Sequence, residues 1–245
     1  MKKKALFTKA RNNSSYLTIL LKIEPAEKKD IIEKKLSFFG RVESGSYFYD
    51  FSEEKAPIKE KDYFIFQVGL PLRPGEYKLF LGFYSPDKKT YSLKMDQIEV
   101  PDFWSQELAL SSLLASPQVS EEKPLSKKGE FDVFSLGRYS LQPSFGQEYT
   151  KSDSLNIFYH IYNVAVDTDQ NCSLLIEFEL QKGEKKYKLN PQRRTQKVDE
   201  SAALLEGTQI PLAGLPELGE YELTVIVTDE ITKKTASQKL KLVVH

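Results

Sequence analysis

Gly69-Leu70-Pro71-Leu72-Arg73-Pro74-Gly75-Glu76-Tyr77-Lys78-Leu79 returns later in the chain as Gly214-Leu215-Pro216-Glu217-Leu218-Gly219-Glu220-Tyr221-Glu222-Leu223. Downstream, Asp87-Lys88-Lys89-Thr90 is answered by Asp229 and Lys233-Lys234-Thr235. The two tyrosines lie 144 residues apart, and Lys89 and Lys234 lie 145 apart. That period is the length of a domain rather than of a solenoid unit, so the chain reads as one module present twice. The repeated element has a local logic. Pro and Gly make a turn, and a strand starts from it. The tyrosine that follows has a large ring to bury and a hydroxyl to satisfy nearby.

Working outward, alternation with period two dominates. Leu17, Ile19, Leu21 and Ile23 share one face of a strand, and so do Phe64, Phe66 and Val68. Further strands are expected over 35–42, 46–51, 76–84 and 91–100. A short helical turn is expected over 28–35. In the second half, Leu155, Ile157, Tyr159 and Ile161 form one face, then Leu174, Ile176, Phe178 and Leu180, then Tyr221, Leu223, Val225 and Val227. A last strand over 236–244 points Lys239 and Lys241 outward. Short half-buried strands separated by Pro, Gly, Asp and Ser clusters, without long amphipathic helices, imply an all-β protein of two tandem immunoglobulin-like (fibronectin III-like) β-sandwich domains. In such sandwiches a tyrosine entering a strand closes the corner between the sheets, and Tyr77 and Tyr221 are the expected corner residues. The domains are expected over 1–104 and 105–245, with an exposed loop over 117–129. The apolar run 108–115 reads as the first strand of the second domain.

Composition limits the partners. Lys+Arg and Asp+Glu are equal at 35 each, which gives no long-range attraction to nucleic acid or anionic lipid. The 40% hydrophobic and 12% aromatic content belongs to a globular chain. Cys172 is the single cysteine, so no disulfide can form within the chain. No apolar run is long enough for membrane insertion, and Met1-Lys2-Lys3-Lys4 is not followed by the apolar stretch of a signal peptide.

Catalytic chemistry finds little to stand on. His160 lies in a strand and His245 is the last residue, so a triad has no well-placed base. No zinc spacing and no phosphate-binding glycine loop occur. No catalytic residue and no cofactor is expected. Asp167-Thr168-Asp169-Gln170-Asn171 places Asp167, Asp169 and Asn171 at calcium-loop spacing. Its continuation departs from an EF-hand, with Cys172 at the glycine position and Phe178 at the bidentate one. A polar β-turn is the competing reading. The basic stretch 182–194 reads as a solvated hairpin edge. Aromatics remain. Tyr47, Tyr49, Phe158 and Tyr162 are expected to face outward, and Trp104 sits at the domain junction. Outward aromatics stack on sugars or dock proteins, and the alternative is packing between domains, with Trp104 as the wedge.

Pro74-Gly75-Glu76-Tyr77, Val100-Pro101-Asp102-Phe103 and Leu108-Ala109-Leu110-Ser111 resemble the region that follows the von Willebrand factor A-like domain of bacterial VWFA-related proteins, a region also found in relatives carrying a GWxTD domain. Leu141-Gln142-Pro143-Ser144, the run from Asn156 to Asn163 and Gly219-Glu220-Tyr221 are similar to the domain that closes such chains. The resemblance implies a periplasmic or extracellular protein whose β-sandwich modules trail a separate head, of which this sequence would be a part. A cytoplasmic protein is the other reading. The family brings no established catalytic residues. A non-catalytic structural or protein-interaction module with a protein partner is therefore expected, the alternative being a carbohydrate-binding module with a glycan ligand.

Overall fold

The computed structural model describes residues 2–24, 36–60, 63–84, 91–116, 118–121, 133–136, 138–142, 144–199 and 202–245. The helical turn expected over 28–35, the Lys88-Lys89 pair and most of the 117–129 loop lie outside them. The chain is all-β, with no helix among the described residues. It divides into two compact units, Met1–Asp102 and Phe103–His245.

The first unit holds β1 (Lys2–Lys9), β2 (Ser15–Ile23), β3 (Leu36–Ser44), β4 (Tyr47–Lys55), β5 (Ile58–Lys59), β6 (Phe64–Leu72), β7 (Gly75–Tyr84) and β8 (Tyr91–Val100). They form two antiparallel sheets, ordered β1-β2-β6-β5 and β4-β3-β7-β8. Alternation along each strand sends every second side chain inward. Leu17, Ile19 and Leu21 of β2 and Phe66, Val68 and Leu70 of β6 meet Phe38 and Val42 of β3 and Tyr77, Leu79 and Leu81 of β7 in one core. Two sheets packed over a shared apolar layer make a β-sandwich.

Strand β8 reverses the usual pattern. Its Lys94 and Asp96 are the register partners of the core residues Leu81 and Leu79, so the charges lie on the core side. Leu93 and Met95 consequently point outward. The Asp96 carboxylate meets Lys3 Nζ of β1 at 2.9 Å, and this bond holds its pKa below the usual carboxylate value. Strands β1 and β8 are the outer strands of their sheets. Inward charges there discourage a second chain from pairing to the edge.

The second unit holds β9 (Ala109–Leu110), β10 (Leu114–Ser116), β11 (Val119–Ser120), β12 (Ser135–Leu136), β13 (Tyr139–Leu141), β14 (Glu148–Tyr149), β15 (Ser154–Tyr162), β16 (Asn171–Lys182), β17 (Lys185–Lys188), β18 (Gln192–Lys197), β19 (Ala203–Pro211), β20 (Gly219–Asp229) and β21 (Thr235–Val244). One sheet runs β10-β15-β19, with β9 also on β15. The other runs β14-β21-β20-β16, with β17 and β18 both on β16, and β14 pairs parallel to β21. A small sheet, β11-β13-β12, is added between β10 and β14. The core is built on Leu155, Ile157, Tyr159, Leu174, Ile176, Leu223 and Val225, all fully buried or nearly so.

The run 108–115 is not one strand. Leu110 pairs with Ile161 and Leu114 with Phe158, so three residues of one strand face two of the other. This is a β-bulge. At the bulge the Ser111 hydroxyl takes the place of a carbonyl and accepts the His160 backbone N–H at 2.9 Å. The division between units falls after Asp102, so Trp104 belongs to the second unit rather than the first. The physical reason is Phe103, which is buried within the second unit 5.0 Å from the Tyr162 ring.

The repeat is structural from the glycine onward. Gly75 and Gly219 have φ of 139° and 124°, a backbone that side chains rarely adopt. Both begin a strand, and they pair with Val100 and Val244 in the same register. Two residues on, the Tyr77 hydroxyl donates to the Arg73 carbonyl at 3.1 Å and the Tyr221 hydroxyl to the Glu217 carbonyl at 2.7 Å, each reaching back four residues. The Gly-Leu-Pro halves are not equivalent. Leu70-Pro71 lies in β6, whereas Leu215-Pro216 lies in the loop after β19. The true counterpart of Leu70-Pro71-Leu72 is Ile210-Pro211-Leu212, whose first two residues pair with β15 as Leu70 and Pro71 pair with β2. The connection into the corner is residues 73–74 in the first unit and 213–218 in the second.

Candidate functional site

The expected site residues scatter. Asp167 folds its own turn: its Oδ1 accepts the backbone N–H of Asp169 and of Asn171, each at 2.9 Å. Asp167 Oδ1 is thus engaged in closing its own turn. Among the described residues no group of three or more His, Cys, Asp or Glu side chains is placed to hold a metal. Cys172 is fully buried in the core of the second unit. The His160 ring stacks parallel on Tyr162 at 5.7 Å, and burial pushes its pKa down. Tyr162 lies on the face of β15 opposite Ile161, as expected, but is only 4% exposed, because Phe103 and His160 cover it there. Phe158 is half-buried, lying against Gly207 and 5.9 Å from the Tyr139 ring. Trp104 is 40% exposed.

Tyr47 and Tyr49 are half exposed on β4 but lie on the core side of the sheet, where Tyr49 is the register partner of Val42, which corrects their expected outward placement. Tyr47 lies edge-on to Tyr77 at 6.3 Å, and Tyr49 stacks on Phe51 at 6.4 Å. Their neighbour Phe48 points to the opposite side of the sheet, 60% exposed, with the Arg41 guanidinium 4.9 Å over its ring. Arg41 also grips Asp50 with two bonds of 2.6 and 2.8 Å, which raise the guanidinium pKa and lower that of the carboxyl.

Phe48 belongs to a larger surface. The outer side of the sheet β4-β3-β7-β8 carries Phe39 from β3, Phe80 and Tyr84 from β7, and Leu93 and Met95 from β8. Leu93 and Met95 are 65% and 68% exposed. Phe39 stacks on Tyr84 at 4.7 Å across Gly82, where a side chain would collide with Phe39 and Leu93. A hollow of about 310 Å³ lies between Phe39, Arg41, Phe80 and Leu93. A second hollow of about 460 Å³ lies at the end of the same sheet, lined by Glu43, Glu76, Lys78 and Glu99. Glu43 borders both.

No family model matches the chain, and no curated protein does. Among solved structures it is similar to a calcium-binding mutant of Bacteroides uniformis beta-glucuronidase 2, at 11% identity and a TM-score of 0.33. The match covers 97% of this chain, which spans 27% of that one.

The duplication supplies an internal reference for the outer face. Carried along by the corner tyrosines, Phe80, Tyr84, Leu93 and Met95 correspond to Thr224, Thr228, Ser237 and Lys239. Where Phe80 faces Met95, the second unit has Thr224 facing Lys239, and Lys239 binds Glu222 at 2.6 Å. The second unit thus has a solvated outer face at positions where the first is apolar. The sequence singled out Tyr47 and Tyr49, which lie on the other side of this sheet, and not Leu93 and Met95. Their signal was the placement of Lys94 and Asp96 at positions of β8 that alternation assigns to the face of Ile98 and Val100.

Proposed function

We propose that this chain is a non-catalytic interaction module in which the outer face of β4-β3-β7-β8 docks a protein partner. Each unit is taken as an immunoglobulin-like sandwich. The orders β1-β2-β6-β5 and β4-β3-β7-β8 follow the A-B-E-D and C′-C-F-G pattern of that fold, and the corner tyrosines agree with it. The resemblance to VWFA-related proteins supports placing it in an exported or envelope-associated bacterial protein. One observation carries the docking reading: Phe80, Tyr84, Leu93 and Met95 stand where the second copy has Thr, Thr, Ser and Lys. Contiguous exposed apolar surface rimmed by charge marks interaction sites.

A photo-crosslinking side chain at position 95, compared with the same group at position 239, tests this in the native cells. A discrete protein adduct from position 95 and none from 239 is expected. Equal background from both sites refutes the docking face. The glycan reading rests on Tyr47 and Tyr49, two half-exposed rings at alternate positions of one strand. It requires a sugar signal on a glycan array that disappears in Tyr49→Ala.

A further inference from the structure

The docking face has an acidic end, where Glu43, Glu76 and Glu99 surround the single cation Lys78 in the lining of one hollow. Glu76 of β7 and Glu99 of β8 are direct register partners, and like charges placed opposite each other across a ladder destabilise it. No ion pair to either is present among the described residues. The cations on this side of the sheet are fewer than the carboxylates, and Lys78 lies in the hollow with Glu43, Glu76 and Glu99. Arg41 is held by Asp50, with Glu43 at 3.5 Å, and Lys78 is the register partner of both Glu43 and Gln97. The second unit lacks the conflict. There Glu220 faces Val243, and Glu222 is paired with Lys239.

We infer that the partner of this face presents a cationic side chain beside an apolar one, the cation entering between Glu43, Glu76 and Glu99 while the apolar group covers Phe80, Leu93 and Met95. This inference rests on the docking reading above. Glu43 lines both hollows, so they are neighbours on one face, and an extended segment with a Lys or Arg followed at alternate positions by Leu-sized side chains runs from one toward the other. The acidic end supplies register and discrimination against anionic segments, and the apolar area supplies most of the affinity.

Two probes separate the two claims. The peptides acetyl-Lys-Ser-Leu-Ser-Leu-amide and acetyl-Glu-Ser-Leu-Ser-Leu-amide are titrated into the full chain, and amide shifts are followed by NMR. The lysine peptide is expected to move the amides of Glu76, Lys78, Gln97 and Glu99 together with those of Leu93 and Met95, and to bind about fivefold more tightly than the glutamate peptide. The double variant Glu76→Gln, Glu99→Gln should erase that preference while leaving apolar binding. The double variant Leu93→Ser, Met95→Lys, which installs the residues of the second unit, should abolish binding of both. Unchanged amide positions for the core strands β2 and β6 of the first unit, which lie in the opposite sheet, establish that each variant is folded. Equal affinity for the two peptides, with shifts on the face, overturns the cation and keeps the docking surface. Absence of shifts on the face with either peptide overturns both.

Discussion

Tyr221 combines two contributions that separate substitutions can resolve. Its ring is 2% exposed, and its hydroxyl closes the loop onto the Glu217 carbonyl at 2.7 Å. Tyr221→Phe removes only the hydrogen bond and should cost about 1 kcal/mol, whereas Tyr221→Ala also opens a cavity and should cost about 3 kcal/mol. Chemical denaturation of the full chain measures both, and equal losses would mean that the ring contributes nothing beyond its hydroxyl. The same loop carries a pH signature. Lys182 binds the Glu217 carboxylate at 2.7 Å and Lys185 also binds it, which lowers its pKa to about 2. A carboxyl depressed by folding contributes stability above its unfolded value, near 4.5, and that contribution disappears as pH falls toward 2. Glu206 does the opposite. It is almost fully buried, and desolvation raises its pKa despite the two bonds from Arg194 at 3.0 and 3.1 Å. Ionised Glu206 opposes folding in the interval above its unfolded pKa, so lowering the pH through that interval stabilises. Urea melts at pH 2 and pH 5 should therefore show Glu217→Gln losing most of its effect at the lower pH, with Glu206→Gln becoming relatively less stabilising there. Mutants with the same effect at both values would contradict these assignments.

At the scale of elements, the turn into β7 and β20 depends on glycine because of its backbone. Gly75→Ala and Gly219→Ala force a side chain into φ of 139° and 124° and should each cost about 1–3 kcal/mol. Gly214→Ala, at an ordinary φ in the same loop as Gly219 and with open space around it, should be close to neutral. Thermal melts compare the three, and a Gly214 effect as large as that of Gly219 would point to some cause other than backbone strain. This corner, the strand faces of β2, β6, β15, β16 and β20, and the period of the duplication were all legible in the sequence. Each is a local pattern in which one face is buried and the other is wet. What was not legible depends on contacts distant in sequence. Alternation in β8 separates Leu93 and Met95 from Lys94 and Asp96, but only Lys3 on β1 explains why the charged set faces in. Alternation placed Tyr162 outside, and it is Phe103, far along the chain, that covers it. The Gly-Leu-Pro match paired residues of β6 with a loop, because similar words serve a strand in one copy and a longer connection in the other.

For the whole molecule, the central point is that each unit closes its own core. Every residue of one buried cluster comes from the first unit and every residue of the other from the second. A unit whose apolar interior is completed by its own two sheets can lose that interior without taking apolar contacts from the other core. Leu81 is 1% exposed in the first core and Leu223 fully buried in the second. Truncating either should cost about 2–5 kcal/mol, but in different places. In calorimetry of the full chain, Leu81→Ala should lower one transition and Leu223→Ala the other, each leaving its counterpart within about a degree. Amide exchange assigns the transitions, since opening in Leu81→Ala should speed exchange in β2, β6 and β7 and not in β15, β16 and β20. If both substitutions lower a single shared transition by similar amounts, the two cores unfold as one and the reading of independent modules fails. Separate transitions would instead leave the docking face of the first unit open to redesign toward the second unit's residues without cost to the fold of its twin.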